Sequence, residues 1–261
     1  MSLSITSQPV SQLVALGSAT SFSVVATHTD PTAVIYYQWN KYLTPIQGSV
    51  SASLSFPAVT CDPTGNDCDI YNCTIRNSID DTVLVTNWVA LACSILDNVE
   101  LNMKIRILGI TKATGYNFDW KVVNEPDEAA VPGYPRVVIE SPAETNTDSP
   151  NTPNCQAYTN DVLFTMYAKG DQAWSNCSNF TIRSLLRMIM DDLKRCFGPK
   201  PDARGIVMGD SVNDSCDMIL YRSHQILNQD QNDIQRPSKI KIQWIVKYCQ
   251  DRAEPLQRAS A

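Results

Sequence analysis

Apolar and polar positions change their period near residue 94. Before it, apolar residues recur at every second position in short runs: Phe22, Val24 and Ala26; Val34 to Trp39; Leu54 to Phe56; Ile70 to Ile75; Val83 to Leu91. Pro31, Pro45, Gly48, Pro57, Pro63 and Gly65 punctuate these runs. Period-two alternation between turn residues predicts strands with one face turned to a core, and many short strands in series predict an all-β sandwich over residues 1–94.

After residue 94 the period lengthens. Asp97 is placed to cap a helix running to about Lys112, with Leu96, Val99, Met103 and Ile107 on one face and Gly115 as its stop. A strand is expected over Arg136–Ser141 and a polar loop over Pro142–Asn154. A second strand follows over Ala157–Lys169, with Val162, Phe164, Met166 and Ala168 on one face. Ile182, Leu185, Leu186, Ile189, Leu193, Cys196 and Phe197 follow helical spacing up to Gly198-Pro199. Two strands close the chain, Cys216–Ile226 and Lys239–Cys249. In the last, Ile240, Ile242, Trp244, Val246 and Tyr248 alternate with Lys239, Lys241, Gln243 and Lys247. The expectation for residues 95–261 is therefore an α+β domain of order αββαββ, its sheet packed by helices.

Two groups of residues carry resemblances. Trp39, together with Asp69-Ile70-Tyr71-Asn72-Cys73, resembles the core tryptophan and the D-x-Y-x-C strand of immunoglobulin-like domains, whose tyrosine hydrogen-bonds back to the chain. The second-strand cysteine of that fold is missing, with Val24 or Ala26 in its place. The expected core is then Trp39, Leu54, Phe56, Tyr71 and Cys73 without an inter-sheet disulfide.

Residues 95–253 resemble the tail-terminator (tail-completion) proteins of long-tailed bacteriophages. The motifs are Gly133-Tyr134-Pro135-Arg136-Val137-Val138-Ile139, the strand Gln156 to Ala168, Met190-Asp191-Asp192-Leu193, Met218-Ile219-Leu220-Tyr221-Arg222, and Tyr248 to Arg252. The resemblance implies a structural virion protein. It would cap the tail tube as a closed ring of copies, six by the resemblance, meeting tube protein on one side and neck or connector proteins on the other, with sheath protein a further candidate neighbour. Glu144, Asn146, Asp148 and Asn151, with Lys239, Lys241 and Lys247, are the candidate ring or tube contacts; a plain surface loop and the lysines of an edge strand are the alternative. The immunoglobulin-like part would be exposed on the particle, either as decoration or as a weak contact to host-surface glycans. Other readings are a glycan-adhesion module docked on the virion, or another neck or head-tail joining protein.

Composition narrows the partners. The 261 residues carry a formal charge of −6 and a pI near 4.9. Residues 1–94 hold two basic against six acidic residues and the rest 19 against 21, so neither part offers the basic surface that sequence-independent nucleic-acid binding requires. The first ten residues lack a basic-then-apolar leader, and no stretch approaches a bilayer span. Assembly in a host cytoplasm is expected, with no membrane partner and mostly free thiols among the nine cysteines. Cys61, Cys68 and Cys73 are near in sequence but do not match paired zinc knuckles. A Cys61–Cys68 bridge formed after release is the alternative to free thiols.

Catalytic signals are weak. Gly209-Asp210-Ser211 resembles the nucleophile turn of Gly-Asp-Ser hydrolases, but only 50 residues follow it and His224 lacks the companion aspartate. His28 and His224 form no H-E-x-x-H pair, and no phosphate-binding glycine loop exists. Asp191 and Asp192 read as solvated helix charge. No enzyme activity, cofactor or metal is expected.

Overall fold

The computed structural model describes residues 2–61, 66–120, 122–123, 136–146, 155–168, 182–197, 218–227 and 238–251. The chain divides into two compact units, residues 1–105 and 106–261. The change of period falls at the start of α1 (Ile95–Leu108) and the division of the units within it. Among the described residues no helix is long and apolar enough to cross a membrane.

The first unit contains β1 (Leu3–Ser7), β2 (Gln12–Leu13), β3 (Thr20–Ser23), β4 (Val25–His28), β5 (Ile35–Lys41), β6 (Thr44–Pro45), β7 (Ser53–Phe56), β8 (Asp69–Asn77), β9 (Val83–Val85) and β10 (Val89–Ala92). The main sheet has the order β2-β10-β8-β5-β6, with β9 also on β8; facing strands pair as β1-β4 and β3-β7. β3 and β4 are one run of chain that changes partner at Val24, whose N–H donates to the Ala52 carbonyl at 3.0 Å. β2 lies parallel to β10, so the N-terminal segment crosses from one sheet to the other after β1. This strand order is that of an immunoglobulin-like sandwich.

The apolar run Val83–Leu91 is two strands, not one. Thr86 interrupts it: its hydroxyl accepts the Cys73 N–H at 2.8 Å, and its own N–H donates to the Cys73 carbonyl at 3.0 Å. The core gathers Phe22, Val24, Trp39, Leu54, Phe56, Val59, Tyr71, Cys73, Ile75, Val89 and Leu91. Phe22 is its hub, with ring centroids 6.1 Å from Trp39, 5.8 Å from Phe56 and 5.4 Å from Tyr71. Val24 is buried while Ala26 is only partly so. The space between the sheets is thus filled by aromatic rings.

α1 begins three residues earlier than a cap at Asp97 implied. The Ser94 hydroxyl accepts the Asp97 N–H at 3.0 Å, which makes Ser94 the cap and leaves Asp97 in the first turn, where its charge favours the helix N-terminus. Ile95, Val99, Met103 and Ile107 are buried, spaced every fourth residue. The helix also ends early, at Leu108, because Thr111 and Thr114 form a reciprocal capping box around a short 3-10 turn, Lys112–Thr114. Gly115, at φ 86, closes that turn in the left-handed region open to glycine.

The second unit is built on one sheet of order β11-β12-β13-β15-β14. Its strands are β11 (Val122–Val123), β12 (Arg136–Asn146), β13 (Cys155–Ala168), β14 (Met218–Leu227) and β15 (Ser238–Asp251); α2 (Ile182–Phe197) lies between β13 and β14 in the chain. Val137, Ile139 and Ile242 are buried in the sheet, and Ile189, Leu193, Cys196 and Phe197 in the helix. β12 runs five residues past Ser141, into the segment expected to be loop. A register shift between Glu140 and Ala143 takes Ser141 and Pro142 out of the ladder, and pairing resumes from Ala143↔Asp161. Such a bulge is where a proline without an N–H is tolerated.

Candidate functional site

The residues proposed from the sequence fall in three places. Trp39, Leu54, Phe56, Tyr71 and Cys73 lie together in the sandwich core. Trp39 is 0% exposed, and its indole N–H donates to the Ser51 carbonyl at 2.9 Å. The Tyr71 hydroxyl donates to the Asp67 carbonyl at 2.5 Å, four residues back, forming the corner that the D-x-Y-x-C motif implies. Burial pushes the Tyr71 hydroxyl well above its ordinary range and the free Cys73 thiol up to about 11, so neither ionises near neutral pH. Tyr71→Phe is expected to cost about 1.5 kcal/mol in urea unfolding, the usual worth of one buried hydrogen bond.

Glu144 and Asn146 are strand residues in β12, in register with Asn160 and Tyr158, which corrects their expected place in a loop. Asp148 and Asn151 lie outside the described residues. Lys239, Lys241 and Lys247 belong to β15, in register with Tyr167, Thr165 and Thr159 of β13 and with Leu227, Gln225 and Met218 of β14. β15 is therefore an interior strand. Its lysines do not guard a sheet edge, which corrects their edge-strand reading.

Three charged residues, Asp192, Arg195 and Lys104, take on roles that their sequence context hid. Asp192 is 0% exposed, which corrects its reading as solvated charge, whereas its neighbour Asp191 is exposed. The Asp192 carboxylate accepts the Asn117 N–H at 2.9 and 3.1 Å, the Asn117 amide at 2.7 Å and the Phe118 N–H at 3.1 Å. Burial raises its carboxyl above the ordinary value against these bonds. Arg195, one turn on, donates to the Gly115 carbonyl at 2.9 Å and lies 4.8 Å from the Tyr116 ring centre. Residues 115–118 are thereby tied to α2. In the first unit, Lys104 is 5% exposed, donates to Asp69 Oδ1 at 2.8 Å and sits 3.9 Å over the Tyr42 ring. The aspartate of D-x-Y-x-C thus anchors a buried ammonium, a partner no local pattern announces.

The third place is a cysteine cluster. Cys61 and Cys68 form a disulfide with Cα atoms 5.3 Å apart. Cys93 joins them, its Sγ 2.7 Å from that of Cys61 and 3.2 Å from that of Cys68. Two local structures make this meeting. Thr60 and Asp67 close the loop: the Asp67 N–H donates to the Thr60 carbonyl at 2.6 Å, and the Thr60 N–H and hydroxyl donate to Asp67 Oδ2 at 2.8 and 3.0 Å. The β10–β8 register, with Leu91 opposite Asp69, then carries Cys93 to the same end of the sheet. Cys73, grouped with Cys61 and Cys68 by sequence, is a core residue instead. Burial first, then Asp97 and Asp67, holds the Cys93 thiol above its ordinary range.

His28 Nδ1 accepts the Asp30 N–H at 3.0 Å, while its buried Nε2 lies 4.0 Å from Asp80, beyond hydrogen-bond reach. Asp80 is held well below the usual carboxylate range by hydrogen bonds from Thr82 and Asn77. His224 is in β14, in register with Ile242. Gly209, Asp210 and Ser211 lie outside the described residues.

No family model matches the chain, and no curated protein does. Among solved structures, Sidekick-1 immunoglobulin domains 1–5 share 15% identity over 35% of this chain and 18% of that one, with a TM-score of 0.29. Titin M4 shares 18% over 35% of this chain and 95% of that one, at 0.26. Rst D1-D2 shares 9% over 97% and 94%, at 0.30. The chain therefore spans about a fifth of the Sidekick-1 structure. All three superpose weakly, and the immunoglobulin-like character of the first unit rests on its own strand order and tyrosine corner.

Proposed function

We propose that this chain is a structural virion protein of a tailed bacteriophage, a tail terminator that closes into a ring on the tail tube and joins it to the neck. Besides the sequence resemblance over residues 95–253, one observation carries the reading. The sheet of the second unit is open at both ends among the described residues. β14, ten residues long, pairs only with β15, and β12 is covered by β11 only at Arg136 and Val137.

A ten-residue strand presents an edge of about 34 Å. Open backbone donors and acceptors on two different edges suit a heterologous interface, in which β14 of one copy lies beside β12 of the next. Such an interface closes into a ring when the rotation between copies is fixed. Glu144 and Asn146 sit on one of those edges. The mechanism is steric: a ring of the tube's own geometry stops addition of further rings without a covalent step.

The full chain is expected to form a concentration-dependent ring, with six copies as the first expectation, by native mass spectrometry and sedimentation, and to bind tube protein. A chain that stays monomeric at high concentration and ignores tube protein would remove the reading.

A second reading, glycan adhesion by the first unit, is favoured by one face of its main sheet. Tyr36 is 54% exposed there, and Arg76, in register between Tyr36 and Val83, is exposed as well, with Val85 beside Thr74. An aromatic ring beside a guanidinium suits sugar stacking. Glycan-array binding that disappears in Tyr36→Ala would support it, and no binding by the full chain would dismiss it.

A further inference from the structure

We propose that Cys61, Cys68 and Cys93, once reduced, form a three-thiolate site for a thiophilic d10 divalent cation such as Zn2+. The three sulfurs lie within 4.8 Å of one another and are half-buried. They come from separate stretches of chain, the loop closed by Thr60 and Asp67 and the segment between β10 and α1, and both stretches are fixed by backbone pairing. Ligands held by the fold before the ion arrives lose little freedom on binding it.

The arrangement is a triangle. Attack by the Cys93 sulfur in line on Cys61 would put Cys68 about 2 Å farther away than Cys61. The two contacts instead differ by only 0.5 Å, 3.2 against 2.7 Å. The third sulfur is beside the bond, not behind it, which suits a shared central ligand better than thiol–disulfide exchange. Zinc–sulfur bonds of about 2.3 Å require sulfurs about 3.8–4.0 Å apart. With the disulfide cut, side-chain rotation alone opens 2.7 and 3.2 Å to that spacing. Cysteines alone make up the cluster among the described residues.

The chemistry balances with a named reductant. A phosphine and one water convert the Cys61–Cys68 bond into two thiols and leave phosphine oxide; a cellular dithiol does the same by becoming a disulfide. The cation then replaces one proton on each of three thiols, so binding releases three protons and weakens as pH falls.

The test uses the full chain, reduced with a phosphine and titrated anaerobically with Cd2+, read by thiolate-to-metal charge-transfer absorbance. The expected result is saturation at one Cd2+ per chain, displaced competitively by Zn2+, with three protons released. Cys93→Ser and, separately, Cys68→Ser are each expected to weaken binding by about 100-fold or more. Cys73→Ala, which alters only a core thiol, should leave it unchanged. Far-UV circular dichroism checks that each variant folds, and the Cys68 variant, altered in the loop, keeps the test open if the Cys93 variant does not. Absent charge-transfer absorbance, wild-type affinity in a folded Cys93→Ser or Cys68→Ser chain, or a Cys61–Cys68 bond that survives the phosphine would each overturn the proposal.

Discussion

Trp39→Ala is expected to cost the first unit about 4 kcal/mol, within the range for truncating a fully buried tryptophan. The ring is 0% exposed and stacks 6.1 Å from Phe22, which in turn touches Phe56 and Tyr71. Removing it opens a void at the centre of the aromatic cluster, and no inter-sheet disulfide stands by to hold the strands. It also leaves the Ser51 carbonyl without the indole donor at 2.9 Å. Small domains are stable by only about 5–15 kcal/mol, so the loss should leave a measurable unfolded population. Urea unfolding gives the comparison, with Tyr36→Ala from the same strand as the control. Tyr36 is 54% exposed, and its removal should change stability by less than about 0.5 kcal/mol. Similar losses for both variants would mean that the cluster around Phe22 does not hold the sandwich.

Asp192→Ala is the second large effect, at about 3–4 kcal/mol in the second unit. Three donors converge on this carboxylate: the Asn117 N–H, the Asn117 side-chain amide and the Phe118 N–H. Alanine leaves the buried Phe118 N–H and the two part-buried Asn117 donors without their acceptor, and an unsatisfied buried donor costs about 1–3 kcal/mol before relaxation. Asp192→Asn keeps the shape but turns an amide N–H toward those donors, so it should recover only part of the loss.

The pH dependence separates charge from shape. Burial raises the folded carboxyl above its unfolded value. Between those two values the folded state holds a proton that the unfolded chain has lost. The stability contributed by this proton is fully present below the unfolded value, near 3.8, and is lost as pH rises through the folded value. The wild-type chain should therefore show, from this group, a stability component that falls with rising pH across that window. The asparagine variant should lack it. Identical pH profiles for the two chains would show that Asp192 does not titrate in that window.

The legible parts of this protein are those whose cause is local. Alternation at Phe22, Val24 and Ala26, or at Ile240, Ile242 and Trp244, follows from strand geometry alone. The spacing of Ile182 to Phe197 gives α2 because residues three and four apart share a helix face. The tyrosine corner was readable because its bond is local, running from the tyrosine of D-x-Y-x-C to the Asp67 carbonyl four residues back.

Boundaries were less legible where a cap decides them. Ser94 and Asp97 are both competent caps, and only the hydroxyl-to-N–H geometry chooses Ser94. Thr111 and Thr114 end the helix region by bonds to each other, against an apolar pattern that would have carried it further.

What the sequence could not supply is partnership across distance. Cys93 lies 25 residues from Cys68 and 32 from Cys61, and meets them through strand register and the Thr60–Asp67 clasp. Asp192 looks like any acidic helix residue until a segment 75 positions away brings its N–H groups to it. The lysines of β15 suggested an edge until β14 was found paired along their strand. Periodicity records only which side of an element is buried, because burial is averaged over whatever covers it. Which strand, loop or thiol does the covering depends on contacts made once the whole chain has closed.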